Sequence, residues 1–118
     1  MSDLKGTGKI GEALAADYLT QIGFEILHRN WRHKRAEVDL IASKDGIVHI
    51  IEVKTRTTLE FGFPEESVGY RKLKMLMAAG AAFLYQNPGW KQIQYDVLSI
   101  ILMNDQQPQF LLLSDVDI

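Results

Sequence analysis

No cysteine occurs in the sequence, which excludes disulfides and thiolate metal sites and fits a reducing compartment. No apolar run approaches the roughly 20 residues a membrane-spanning helix needs. The opening MSDLKGTGKIGE lacks the apolar stretch of a secretory leader, so a cytoplasmic location with no membrane partner is expected. Also missing are histidines at HxxxH or HExxH spacing, a Gly-rich phosphate loop, a nucleophilic serine motif and a zinc motif. Repeats, low-complexity tracts and linkers are absent too. The 118 residues are therefore expected to form one domain, residues 1–118.

Positive charge is missing from one part of the chain and concentrated in another. Residues 92–118 hold no lysine or arginine, only Asp96, Asp105, Asp115 and Asp117. By contrast HRNWRHKR, residues 28–35, carries Arg29, Arg32, Lys34 and Arg35 with His28 and His33 and no acid. A net charge of −2 argues weakly against general nucleic-acid binding, yet this asymmetry can place a positive patch on an acidic protein. A solvated basic loop explains the cluster equally well. Trp31, within it, could stack on a base, though packing is the commoner role for a tryptophan there.

What the sequence does have is an ordinary apolar content, 47%, arranged in clear periods. Residues 8–22 read as a helix with Ile10, Leu14, Ala15, Tyr18, Leu19 and Ile22 on one half of the wheel and Gly23 as its C-cap. FEILHRNWR reads as a strand, followed by strands at about 36–43 and 47–55. TLEFGFPEES is a loop, with Pro64 suited to the first turn of a helix and Glu65 and Glu66 to its positive end. That helix runs to about Gln86, where NPG stops it, with Val68, Leu73, Leu76, Met77, Ala81 and Leu84 on its apolar side. KQIQYDVLSIILM and PQFLLLSDV make two further strands. The order is α-β-β-β-α-β-β, an α/β fold whose second helix provides the crossover that parallel pairing of the third and fourth strands requires. A mixed five-stranded sheet flanked by helices is expected.

The hairpin AEVDLIASKDGIVHIIEVKTR, residues 36–56, raises a chemical question. Asp45-Gly46 is a strong signal for a type I′ turn, which pairs Lys44 with Ile47 and gives a register in which residue numbers sum to 91. Asp39 then faces Glu52, and Glu37 faces Lys54. One face carries Glu37, Asp39, Ile41, Ile50, Glu52 and Lys54; the other carries Val38, Leu40, Ala42, His49, Ile51 and Val53. A four-residue loop would keep these faces, whereas an unbulged three-residue loop would separate the two carboxylates. His49, on the apolar face, reads as a satisfied, partly buried histidine. Charges on a solvated face are the plainer reading of the first set, but like charges directly opposite repel, and Ile41 and Ile50 imply that this face is partly covered. A divalent cation between Asp39 and Glu52 removes the repulsion, since Mg²⁺ is usually held by one or two carboxylates together with water and phosphate. Such an ion polarises a phosphoryl oxygen and lowers the pKa of bound water, and the Lys54 ammonium can orient that water or stabilise charge on the phosphate. Glu12 lies at the edge of the first helix's buried arc, where it can point toward the same site or stand as an ordinary boundary glutamate.

These segments resemble the PD-(D/E)xK nuclease superfamily, with Asp39 followed by Glu52-Val53-Lys54. They are closest to its YraN-like family of predicted endonucleases, which are similar to archaeal Holliday junction resolvases. GEALAADYL, GFEILHRNWR, AEVDLIA, IIEVKTR, FGFPEESV, RKLKML and QYDVLSI carry the likeness along most of the chain. The resemblance implies a restriction endonuclease-like core and an endonuclease acting on DNA, branched or structured DNA included, with Mg²⁺ or Mn²⁺ as cofactor. It implies metal-binding roles for Asp39, Glu52 and the Val53 carbonyl, a catalytic role for Lys54 and an assisting one for Glu12. Arg29, Arg32, Lys34, Arg35, Arg56, Arg71, Lys72 and Lys74 are the candidates for phosphate contacts, and a homodimer would suit symmetric cutting of a junction. The sequence departs from the family pattern at Ala36, where glycine is usual, so the start of the second strand is expected to differ slightly. Val38 stands where the superfamily's name has proline. The alternative is a non-catalytic nucleic-acid-binding or repair-scaffold protein retaining the fold. Neither reading gives Glu37 a role.

Overall fold

The structure is a computed structural model that describes residues 4–57, 69–103 and 105–115, with side chains from residue 9 onward. Pro64, Glu65, Glu66 and Val68, and the loop that holds the first three, lie outside the described residues.

Helix α1 spans Leu4–Gln21. It ends as its sequence dictates: Gly23 adopts φ 104°, the Phe24 amide donates to the Leu19 carbonyl at 2.9 Å and the Gly23 amide to that of Thr20 at 3.2 Å. This is the Schellman arrangement, and Lys44 Nζ satisfies another terminal carbonyl, that of Ile22, at 2.8 Å. Strands β1 (Glu25–His33), β2 (Ala36–Lys44) and β3 (Ile47–Arg56) follow as an antiparallel meander. Helix α2 (Tyr70–Gln86) crosses over to β4 (Ile93–Ile101), which pairs parallel to β3, and β5 (Gln109–Leu113) returns antiparallel to β4. The sheet order is β1-β2-β3-β4-β5, the expected mixed five-stranded architecture.

The helices pack on opposite faces of this sheet. On one, Ala15, Ala16 and Leu19 of α1 meet Phe24, Leu40, Ala42, Ile51, Leu98 and Ile100. Tyr18 also stacks on Phe110 with ring centroids 4.2 Å apart, holding β5 to the same layer. On the other, Leu76, Ala79 and Phe83 of α2 cover Ala36, Val38, Ile41, Val48 and Ile50. Trp31 belongs to this second layer, edge-on to Phe83, so packing accounts for much of its surface.

Three expectations change. Ile10 is 56% exposed rather than buried, and the small Ala16 joins the α1 stripe in its stead. The buried face of α2 is Leu73, Leu76, Ala79, Gly80 and Phe83, turned away from Met77 and Ala81, which are exposed. Gly80 explains that rotation: a Cβ there would stand 2.5 Å from the Tyr95 hydroxyl and 2.6 Å from Ile93 Cδ1, so the helix descends onto β4 along its glycine. Third, the positive φ beside the β1–β2 turn falls on Lys34 (φ 55°). Ala36 carries no such strain and is buried under α2, so the missing glycine costs the start of β2 nothing.

Candidate active site

The hairpin turn closes as its sequence requires. Asp45 and Gly46 have φ 54° and 80°, matching the two positive values of a type I′ turn. Pairing then runs from Lys44↔Ile47 to Leu40↔Ile51, all in the expected register. The described ladder stops there. Beyond it the Val53 amide donates to Asp39 Oδ2 at 2.8 Å, so a side chain takes the place a main-chain carbonyl would hold in a continued hairpin. On the β1 side, Asn30 has φ 53°, while the flanking pairs Arg29↔Leu40 and Trp31↔Val38 keep one register and the β1 bulge lies further back, between Ile26 and His28. Strand β2 turns over between Val38 and Leu40. Val38 therefore packs with Ile41 and Ile50 on the α2 layer, not with Leu40 as strict alternation predicts.

This break puts Asp39 between carboxyl groups from both sides. Glu52 is 6% exposed, and its Oε1 is buried with no hydrogen-bond partner. Burial first, and then the neighbouring Asp39 charge, push the Glu52 carboxyl up to about 7, against the pull of Lys72 and Lys54. Asp39 also stands close enough to hydrogen-bond the protonated acid, which raises Glu52 further. From α1 comes Glu12, whose carboxyl is likewise raised by burial and by the charges of Asp39 and Glu37, with an opposing hydrogen bond to Asn30. Its position follows from the preceding residue: Gly11 lies so close to Thr55 that a Cβ would collide with the threonine hydroxyl. The glycine thus lets α1 settle on the end of β3 and sets Glu12 beside the break.

Two ammonium groups approach from the other direction. Lys54 Nζ is 3.8 Å from Glu52 Oε2, and Lys72 Nζ, reaching down from α2, is 3.5 Å from the same oxygen. From the sequence, Lys72 is a candidate for a phosphate contact only. Its closeness to Glu52 depends on how α2 lies across the sheet, for which the sequence carries no signal. Asn30 was missed too; asparagine's tolerance of positive φ marks it as a bend, but nothing local ties it to Glu12.

The β2–β3 register ends before Glu37 and Lys54. On its β1 side Glu37 lies opposite Arg32, with the carboxylate 3.2 Å from the guanidinium. Both side chains are largely exposed, 70% and 41%, so the pair adds little to stability. Of the other basic candidates, Arg29, Lys34, Arg35, Arg56 and Arg71 are exposed, and Lys74 sits 5.1 Å over the Tyr70 ring. Arg35 and Lys72 line one small cleft together. Away from this end of the sheet, buried His49 places Nδ1 2.6 Å from Asp96 Oδ2. Asp96 Oδ1 accepts from Gln94 Nε2 and from the Asp115 amide, each at 2.9 Å. Burial raises the Asp96 carboxyl, but these hydrogen bonds outweigh it and hold the group below the usual carboxylate range. His49 is a satisfied core histidine.

Among the described residues no group of three or more His, Asp or Glu side chains is arranged to hold a metal. The arrangement instead is two carboxylates in contact, one with an orphaned buried oxygen, which is a donor set for a hard cation completed by water or phosphate. A buried acceptor left without a partner is costly, and a bound cation removes that cost. In this respect the residues fit Mg²⁺ or Mn²⁺.

The sequence pattern of the uncharacterised protein family UPF0102 matches residues 11–100. The chain belongs to that family. A UPF0102 protein of Flavobacterium johnsoniae is 38% identical over 104 residues, covering 85% of each chain. One of Rhodococcus opacus is 40% identical, covering 86% of this chain and 87% of its own. One of Chloroherpeton thalassium is 41% identical, covering 87% and 81%. A solved structure described as Archaeoglobus fulgidus Hjc, a Holliday junction resolvase, shares 16% identity and covers 85% of this chain and 71% of its own, with a TM-score of 0.49; that likeness is too slight to carry chemistry across. The UPF0102 match spans both Glu12 and the hairpin. No helix among the described residues is long and apolar enough to cross a membrane.

Proposed function

We propose that this UPF0102 chain is a metal-dependent endonuclease that hydrolyses phosphodiester bonds of DNA, branched or structured DNA included, as one nuclease-like domain working in the cytoplasm. The observation that carries this reading is the buried, unpartnered Glu52 Oε1 beside the Asp39 carboxyl. Asp39 and Glu52, with the Val53 carbonyl, would hold Mg²⁺ or Mn²⁺, which when bound polarises a phosphoryl oxygen and lowers the pKa of a water. Asp39 has a second duty, since its bond to the Val53 amide fixes the β3 backbone at the site. Lys54 orients the attacking water or stabilises charge on the phosphate. Lys72 supplies a second cation on the α2 side of Glu52, placed to meet a phosphate oxygen. Glu12, whose raised carboxyl retains a proton to higher pH than an ordinary glutamate, accepts and donates through a water. Arg29, Arg32, Lys34, Arg35, Arg56, Arg71 and Lys74 form the surrounding cationic surface, and a homodimer would present two such sites to a symmetric junction.

The test is Mg²⁺-dependent cleavage of duplex, nicked and four-way-junction DNA by the wild type and by Glu52→Ala and Lys54→Ala. Loss of cleavage in both variants is expected; unchanged cleavage in both rules the site out. A second reading has one observation in its favour: Lys54 and Lys72 already neutralise Glu52 Oε2, as they would in a non-catalytic nucleic-acid-binding protein that needs no metal. It requires nucleic-acid binding that falls on Arg32→Ala, with no cleavage under Mn²⁺.

A further inference from the structure

Two hollows lie where α2 crosses the β1–β2 turn. The smaller, about 100 Å³, is lined by Arg35, Ala36, Glu37, Lys72, Met75 and Leu76. The larger, about 410 Å³, is lined by His33, Lys34, Arg35, Ala36, Met75 and Ala78. Arg35, Ala36 and Met75 are common to both, and Lys72 at the far side of the smaller one reaches Glu52. The two hollows are thus neighbours, and Lys72 links the smaller one to Glu52.

The larger hollow divides its chemistry in two. Its floor is apolar, made by Ala36, Met75 and Ala78, and its described lining includes no acid. Its rim is cationic, with Lys34 and Arg35 both exposed. Lys34 is held at φ 55°, so the turn rather than its own flexibility fixes where that side chain starts. The volume falls within the roughly 300–1,000 Å³ usual for small-ligand sites. A paired duplex offers such a surface only phosphates and groove edges. An unpaired nucleotide offers a ring face for the apolar floor, where a methionine sulfur contacts aromatic rings favourably, and flanking phosphates for the rim.

We propose that this hollow binds the base of an unpaired nucleotide next to the scissile phosphate, so that DNA with unpaired or splayed nucleotides is the substrate class. Only the adjacency to a scissile phosphate rests on the nuclease reading; base binding follows from the hollow's apolar and cationic lining and from Lys72, which links its neighbour to Glu52.

The experiment is a binding titration in EDTA, where no cleavage occurs, using a fully paired oligonucleotide duplex and the same duplex carrying a bulged 2-aminopurine. The wild type is expected to bind the bulged DNA about 10-fold tighter, in line with the energy of stacking one base, and to change the 2-aminopurine emission. Ala78→Leu fills the hollow, alters no charge and suits a helix; it should abolish the preference and the emission change while duplex affinity stays the same. Met75→Gln, which makes the floor polar without adding charge, should act alike and stands in if the first variant folds poorly. Glu52→Ala should keep the preference. Equal affinity for the two DNAs in the wild type, no binding to either, or a preference that survives both hollow variants overturns the proposal. So does self-association of the wild type that Ala78→Leu abolishes, which would give the hollow to a second copy of the chain. Mg²⁺-dependent cleavage that ignores Glu52→Ala counts instead against the nuclease reading and leaves the base-binding result standing.

Discussion

Asp39 Oδ2 accepts the main-chain amide of Val53 at 2.8 Å, so one carboxylate both ends the β2–β3 ladder and lies against Glu52. Structure and electrostatics can be separated at this residue. Asp39→Asn keeps an oxygen for the amide and loses the charge, whereas Asp39→Ala leaves a half-buried N–H unpaired, at a cost of about 1–3 kcal/mol. Both variants should lose Mn²⁺ binding. Only the alanine variant should show a lowered urea midpoint.

Glu52 sets a pH dependence in the metal-free protein. Its carboxyl stands at about 7 in the fold, against an ordinary value of about 4.3 when unfolded, so between these values the folded state binds more protons. The contribution is fully present below about pH 4.3 and is lost as pH rises through 7. Glu52→Gln should therefore be more stable than the wild type at pH 8, by on the order of 2 kcal/mol, with the gap closing toward pH 4. Urea titrations of both proteins at several pH values in EDTA measure this. A gap that is absent at pH 8 would mean the two lysines outweigh burial and Asp39.

Asp96 slopes the other way. Its carboxyl is held low by His49, the Asp115 amide and Gln94 in spite of burial, so its contribution is present above the unfolded value of about 3.9 and is lost as pH falls through the folded value. Asp96→Ala breaks a buried pair and strands His49, which should cost about 3–5 kcal/mol at pH 7. Thermal unfolding at pH 7 and pH 3 should show the deficit shrinking in acid.

Lys72 opposes a dication electrostatically while facing the position of a phosphate. Lys72→Met should tighten Mn²⁺ binding in the absence of DNA by about 3-fold, a modest figure because the ammonium is half in water, and should raise KM for DNA. Calorimetry and steady-state cleavage read the two effects separately.

Gly80 tests the packing that delivers Lys72. Alanine suits a helix better than glycine, yet its Cβ would press on Tyr95 and Ile93. Gly80→Ala should thus destabilise by about 1–2 kcal/mol, measured by urea unfolding, rather than stabilise.

Local chemistry made much of this legible in the sequence. Asp45-Gly46 dictates its own turn, and that turn fixes the register as far as Leu40↔Ile51. Gly23 ends α1 because a positive φ is needed there. Strand alternation failed at Val38, because Asp39's side chain replaces a ladder contact to the Val53 amide, and no period records a side chain standing in for a carbonyl. The apolar stripe of α2 was misplaced for a similar reason: a glycine counts as neutral in a hydrophobic wheel, but at Gly80 the lack of a side chain decides which face descends. The convergence of Glu12 and Lys72 on the hairpin is tertiary. It depends on two helices lying on opposite faces and meeting at one end of the sheet.

Calorimetric titration of Mn²⁺ into the wild type and Glu52→Gln at pH 6.5, in two buffers of different ionisation enthalpy, addresses the metal site most directly. A single site is expected in the wild type, with release of roughly three-quarters of a proton as the ion displaces the one partly retained by Glu52 at this pH, and no binding to Glu52→Gln. Mn²⁺ binding that is equal in both proteins, or that releases no proton, contradicts this expectation.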